Sequence, residues 1–326
     1  MKRYAGKENR KQGMKKQGLL LAVAVLAGVL VGCGGGNSSG NQAATQGQEP
    51  ATEAAAQSQA QEPATEAASQ SQAPEISAPE GTEAEKTGGD TSQKEVTILV
   101  AAAASLKNAY EQELIPLFES QNPGITVEGT YDSSGKLQTQ IEEGLEADVF
   151  MSAAMKQMNA LDDEEMIASD TIVRLLENKI VLIVPAGGEE GFTQFTDLAS
   201  ADSIALGDPA SVPAGQYAEE ALGSLGIWEE IQDRVSFGTN VTEVLNQVAA
   251  GSADAGIVYA TDAASMADQV TVVAEAPEGS LKDKVIYPVA VVKDTAHEQQ
   301  ARAFVEFLQS EQALEIFRQY GFADGR

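Results

Sequence analysis

The chain has 326 residues, with 21 Lys or Arg against 49 Asp or Glu and a net charge of −28 at neutral pH. So acidic a surface lacks the basic patch that nucleic acid requires, and no nucleic-acid partner is expected. A single cysteine excludes an internal disulfide and any multi-thiolate metal site, and no cofactor is expected.

Residues 1–17 carry seven Lys or Arg and one acid, and the uncharged stretch 18–32 that follows is fifteen residues long, short for a membrane span. Together with Leu30-Val31-Gly32-Cys33 this reads as an export signal over residues 1–32 ending in a lipobox, with Cys33 as the lipid carrier. The expected location is extracytoplasmic, anchored to the cell membrane as a lipoprotein. Residues 33–93 are rich in Gln, Ala, Ser, Glu and Gly, with Ile76 the only large apolar residue and no aromatic, so they cannot bury a core. The octet QEPATEAA at 48–55 recurs at 61–68 as a duplicated spacer, and the segment reads as a disordered tether. Beyond position 32 there remain 14 basic and 48 acidic side chains. Any bound anion must therefore be held by local dipoles against an unhelpful overall field.

The fold is expected to begin near Lys94. Strand-like runs follow at Val96–Ala101, Ile125–Thr130, Asp148–Ser152, Lys179–Val184, Ser203–Leu206, Arg234–Phe237, Ala255–Tyr259 and Val285–Val292. Between them apolar residues recur at helical spacing, as in Leu114, Leu117 and Phe118, or Val241, Val244, Leu245 and Val248. The alternation predicts an α/β fold of mostly parallel sheets flanked by helices. Roughly 230 residues of this pattern suit two small lobes. The apolar run Ile180–Val184 is the expected first crossing and Tyr287–Val292 the return. Lobe 1 is then 94–178 with 285–326, packed by Phe304, Phe307, Leu308 and Phe317, and lobe 2 is 179–284. Ligand is expected in the cleft between lobes, at the carboxyl ends of the strands.

Four strand-to-helix junctions offer anion-binding chemistry. In the first, Ala101 to Ser105, small residues and a hydroxyl lead into a helix whose first N–H groups are unpaired. In the second, Tyr131-Asp132-Ser133-Ser134-Gly135-Lys136-Leu137, paired serines stand at a helix start and serve equally as caps. It is no P-loop, because Gly129 and Gly135 are six apart and Leu137 stands where a magnesium-binding hydroxyl is needed. Lys136 reads as a solvated helix residue. In the third, Gly207 to Gly215, Pro213 suits the first helical position and leaves the N–H of Ala214 free. In the fourth, Gly238 to Glu243, Asn240 and Glu243 resemble a capping box and Val241 occupies the first turn. Tyr259 ends a strand, a position more often taken by packing than by binding, and its O–H is a neutral donor suited to acceptor oxygens.

The strings AAAASL, DSSGKLQTQIEEG with ADVF, ALGDPASVPAGQYAEEAL, GIVYATDA, YPVAVV and IFRQYGF occur in order over residues 94–326. With them the chain resembles the molybdate-binding proteins of bacterial molybdate ABC transporters, in the periplasmic substrate-binding superfamily. The resemblance implies the two-lobe fold of that superfamily and an oxyanion, molybdate or tungstate, held without direct metal ligands or a paired cation. It places the donors on the hydroxyls and N–H groups of Ser105 and Ser134, the N–H groups of Ala214 and Val241, and the Tyr259 phenol. It further implies an ABC permease as partner and a chain acting as a monomer. One departure is Ala154, where the family often has an acid or amide.

A serine hydrolase is the rival class. It wants a base beside Ser105 or Ser134, and the only histidine, His297, belongs to the start of a C-terminal helix and reads as a solvated cap-region residue. No enzymatic activity is expected. Among binders, the four junctions supply no arginine for a carboxylate and no aromatic platform for a sugar, Trp228 reading as packing. Other tetrahedral oxyanions, sulfate first, remain the alternative. A protonated phosphate would need a carboxylate acceptor, and Asp132 and Asp208 are expected to point away as caps.

Overall fold

The computed structural model describes residues 95–326. The expected signal over 1–32, the expected lipid carrier Cys33 and the expected tether over 33–93 lie outside the described residues. Among the described residues eleven strands form two sheets. The first contains β1 (Val96–Ala103), β2 (Ile125–Asp132), β3 (Val149–Met151), β4 (Val173–Asn178), β10 (Val285–Val291) and β11 (Ala323–Asp324), in the order β11-β4-β10-β3-β1-β2. The second contains β5 (Ile180–Pro185), β6 (Ile204–Gly207), β7 (Val235–Gly238), β8 (Ala255–Tyr259) and β9 (Val270–Glu275), in the order β7-β6-β8-β5-β9. Helices flank both sheets, giving the two-lobe α/β architecture.

The sheets are mixed rather than mostly parallel. β1 pairs in parallel with β2 and β3, and β6 with β7 and β8. The antiparallel pairings all involve β10 with β3 and β4, β11 with β4, or β5 with β8 and β9. The physical reason is the path of the chain. Strands that feed a helix run toward the cleft, whereas β5 and β10 start at the cleft and run away from it. The first crossing is abrupt, for β4 ends at Asn178 in one sheet and β5 begins at Ile180 in the other.

β5 and β10 are buried along nearly their whole length, which is why both read as unbroken apolar runs. The sequence reading missed β4, β9 and β11. β4 carries Arg174, Leu175, Leu176 and Glu177, good helix formers whose strand geometry is imposed by β10 and β11 on either side. Aromatic side chains cement the C-terminal helices to the helical segment that follows β1. Phe118 meets Phe304 edge-on at 4.9 Å, and Tyr110 lies 6.2 Å from Phe317. Trp228 is half-buried and packs against the core of the second lobe.

The lobes touch across the cleft. The N–H of Gly135 donates to the carbonyl of Ser211 at 2.9 Å, Asn240 Nδ2 donates to Asp132 Oδ1 at 3.3 Å, and Gln157 Nε2 donates to Gln216 Oε1 at 3.3 Å. The first contact needs glycine, because a Cβ on Gly135 would stand 2.4 Å from the Ser211 carbonyl oxygen. A backbone neighbour cannot rotate away, so Gly135→Ala should cost this lobe contact about 1–3 kcal/mol. Solution scattering should show the variant with a larger radius of gyration than the wild type; equal radii would contradict the contact.

Candidate functional site

The first sheet sets two serines side by side. β1 and β2 pair in register as far as Ala103 opposite Asp132, and Ser105 and Ser134 each lie two residues beyond that pair. Neighbouring strands are about 4.8 Å apart, so both hydroxyls leave the same edge of the sheet. Ser105 is half-buried in a short 3₁₀ turn, and its Oγ lies 2.9 Å from Tyr287 Oη. Ser134 is fully buried as the first residue of the helix Ser134–Glu142, and its Oγ accepts the N–H of Ala153 at 2.9 Å. That acceptor contact turns the Ser134 hydrogen outward. Among the described residues neither hydroxyl meets a base.

In the second lobe two helix starts follow the adjacent parallel strands β6 and β7. Pro213 is the first residue of the helix Pro213–Ser224, as its fixed φ and missing N–H favour, and Ala214 behind it is fully buried. Gly207 and Gly215 let this helix sit close on β6, since a Cβ on Gly215 would stand 2.0 Å from the Gly207 carbonyl oxygen. Val241 opens the helix Val241–Ala249, capped by Asn240 Oδ1, which accepts the Glu243 N–H at 3.0 Å. The reciprocal half of the expected capping box is displaced by one residue, with Glu243 accepting the N–H and hydroxyl of Thr239. Among the described residues, the N–H groups of Ser134, Ala214 and Val241 donate to no protein acceptor. Each sits at a helix N-terminus, where the macrodipole adds partial positive charge.

Cross-lobe contacts bring these groups together. The Gly135–Ser211 bond sets the Ser134 helix against the turn before Ala214, and the Asn240–Asp132 bond sets Val241 against the end of β2. Tyr259 is the last residue of β8. Its ring meets Tyr287 edge-on at 5.4 Å, and its Oη is buried with no hydrogen-bond partner. Burial pushes the Tyr259 phenol well above its usual range, so it stays a neutral donor. Contacts thus join the segment of Ser134 to that of Ala214, the end of β2 to the Val241 helix, and Ser105 through Tyr287 to Tyr259.

Several neighbours behave otherwise than expected. Asp132 does not point away: it takes Asn240 from the opposite lobe and pairs with Lys136 at 3.2 Å, so Lys136 is a half-buried rim residue rather than a solvated one. Asp208 does cap its own turn, accepting the Ala210 N–H at 2.9 Å. Ser133 stands at the N-cap position, yet its Oγ makes no capping bond and is buried without a partner. His297 precedes the helix Glu298–Leu308 and sits on Asp148, with Nδ1 and Oδ1 3.1 Å apart. That pair lies at the opposite end of β3 from the cleft.

Sequence reasoning missed Tyr287, Asn178 and Asp262, whose roles depend on contacts between distant segments. Asp262 is buried in the short helix after Tyr259, with Oδ2 unpartnered, and desolvation pushes its carboxyl up to about 7, opposed in part by the N–H of Tyr259. The ordinary value in an unfolded chain is about 3.9. Its contribution to stability is therefore complete below about pH 4 and lost as pH rises through about 7, a span worth about 4 kcal/mol. In urea unfolding at pH 4, 6 and 8, Asp262→Asn should gain on the wild type as pH rises and flatten the pH dependence. A parallel pH profile would contradict the burial of an ionisable Asp262.

Residues 98–323 match the model of the bacterial extracellular solute-binding protein family. The Bacillus subtilis protein YvgL, named as an ABC transporter substrate-binding lipoprotein, is 42% identical over 231 residues, covering 71% of this chain and 88% of its own. The molybdate-binding protein ModA of Escherichia coli is 40% identical over 240 residues, covering 72% of this chain and 91% of its own. The solved periplasmic molybdate-binding protein of Azotobacter vinelandii superposes with a TM-score of 0.61 at 24% identity, over 70% of this chain and all of that one, which shows the shared fold. The fold, the cleft and these likenesses place the chain in the bacterial extracellular solute-binding protein family, among its ModA-type members.

Proposed function

We propose that the protein is the molybdate-capturing component of an ABC importer, binding tungstate by the same geometry. Ser105, Ser134, Ala214, Val241 and Tyr259 hold the oxyanion. What supports this reading is a set of donors with nothing to donate to: among the described residues the N–H groups of Ser134, Ala214 and Val241 and the buried Tyr259 phenol have no protein acceptor. Every one is neutral. A fully deprotonated tetrahedral dianion offers only acceptors and matches such a cage, whereas a protonated phosphate brings an O–H that finds no carboxylate among the five. No cofactor takes part. The kinship with ModA proteins supports molybdate over other dianions of this shape.

Binding draws the two lobes together by favouring conformations in which both halves of the cage meet the same ion. The lipid on Cys33 holds the monomeric protein at the outer face of the membrane, and the tether 33–93 lets it reach the permease that receives the ion. Sulfate has the same charge and shape and differs in size, so it is the second candidate.

Ser134→Ala removes a hydroxyl that donates to an anion and should weaken molybdate binding by about 1.5–3 kcal/mol in calorimetry; unchanged affinity would remove Ser134 from the cage. A thermal-shift panel of molybdate, tungstate, sulfate and phosphate tests the ligand itself. Stabilisation by the first two is expected, and stabilisation by phosphate alone would overturn the reading.

A further inference from the structure

The hydrogen bonds behind Ser105 have a direction, and that direction bears on selectivity. Asn178, the last residue of β4 at the crossing between lobes, accepts the N–H of Lys179 on Oδ1 at 2.8 Å. Its orientation is thereby set, and Nδ2 faces Thr261 Oγ1 at 2.9 Å and Tyr287 Oη at 3.3 Å. Tyr287 is fully buried on β10, and its Oη has two hydrogen-bond partners, Asn178 Nδ2 and Ser105 Oγ. Asn178 Nδ2 is only a donor, so the Tyr287 hydrogen has one acceptor left, Ser105 Oγ. The reverse arrangement would strand a buried O–H without a partner, a cost comparable to the bond itself. With an incoming hydrogen on its oxygen, Ser105 must turn its own hydrogen away from Tyr287, toward the cleft.

We propose that Asn178 and Tyr287 are positioning residues that fix Ser105 as a donor, so that the cage prefers an oxyanion carrying no proton. The proposal rests on the assignment of Ser105 to the oxyanion site. A serine hydroxyl left to itself rotates and serves as donor or acceptor, and would tolerate a protonated oxyanion. Held from behind by the Asn178 to Tyr287 to Ser105 sequence, it cannot adapt without stranding the phenol. The same sequence begins beside Thr261 in the second lobe, so the donor orientation is anchored at the point where the chain passes from one lobe to the other.

Two variants separate this role from space-filling. Tyr287→Phe keeps the ring contacts with Tyr259 at 5.4 Å and Phe322 at 5.3 Å and removes only the hydroxyl. Asn178→Asp keeps the Tyr287 hydroxyl but replaces the donor with an acceptor. The Tyr287 hydrogen then turns to residue 178, and the Ser105 hydrogen turns back to Tyr287. Calorimetric titration of the wild type and both variants with molybdate and with inorganic phosphate is the test, with melting temperatures of the ligand-free proteins checking the fold.

Tyr287→Phe should weaken molybdate about tenfold, about 1.4 kcal/mol, and narrow the molybdate-to-phosphate preference. Asn178→Asp should weaken molybdate further still, although it is nearly isosteric. Unchanged molybdate affinity in Tyr287→Phe, an equal loss for both anions, or an Asn178→Asp protein that binds better than Tyr287→Phe would each overturn the proposal while leaving the oxyanion site intact. A wild type that binds neither anion would overturn the site assignment, and the positioning role with it.

Discussion

An anion leaves water only if the protein replaces the hydrogen bonds that water supplied, and the proposed cage makes that replacement entirely with neutral donors. Burying a carbonyl-like acceptor without partners costs several kcal/mol, and a dianion far more. A buried lysine or arginine would meet the charge but would itself have to be desolvated, and would stay uncompensated whenever the cleft was empty. Helix N-termini avoid that difficulty, since their N–H groups and partial positive charge exist whether or not a ligand is bound. The rest of the fold follows from the need to aim several such ends at one point.

Two sheets accomplish the aiming. In each, the strands that feed a helix run toward the cleft, so β2, β6 and β7 lead to turns that open the helices bearing Ser134, Ala214 and Val241. β5 and β10, which follow the two crossings, run the other way and carry no cage donor themselves. Back support comes instead from Tyr287 on β10 and from Asn178 at the cleft end of β4. The close backbone approach at Gly135 sets how near the two halves come, and the one at Gly215 sets how near its helix sits to β6.

What could be read from the sequence was what depends on local chemistry. Pro213 at a first helical position, Asn240 three residues before Glu243, and the small residues ahead of Ser105 each announce a helix start in a few residues. Those signals mark the helix starts at Ser105, Ala214 and Val241. What could not be read was what depends on partners far along the chain. β4 is a strand because β10 and β11 flank it, against the helical leaning of Arg174 to Glu177. Asp132 is a cross-lobe acceptor only because Asn240, 108 positions away, folds opposite it. Tyr287 lies 182 positions from Ser105, and nothing in either local sequence marks the bond between them.

The central claim is capture by neutral donors in a strongly acidic protein, and ionic strength tests it most directly. Salt screens charge attraction and charge repulsion alike. With no cation in the cage and a net charge of −28, the affinity for molybdate should stay level or rise modestly as sodium chloride is raised from about 0.01 to 0.5 M. A steep fall over that range would show that a positively charged side chain holds the ion, and would contradict the account.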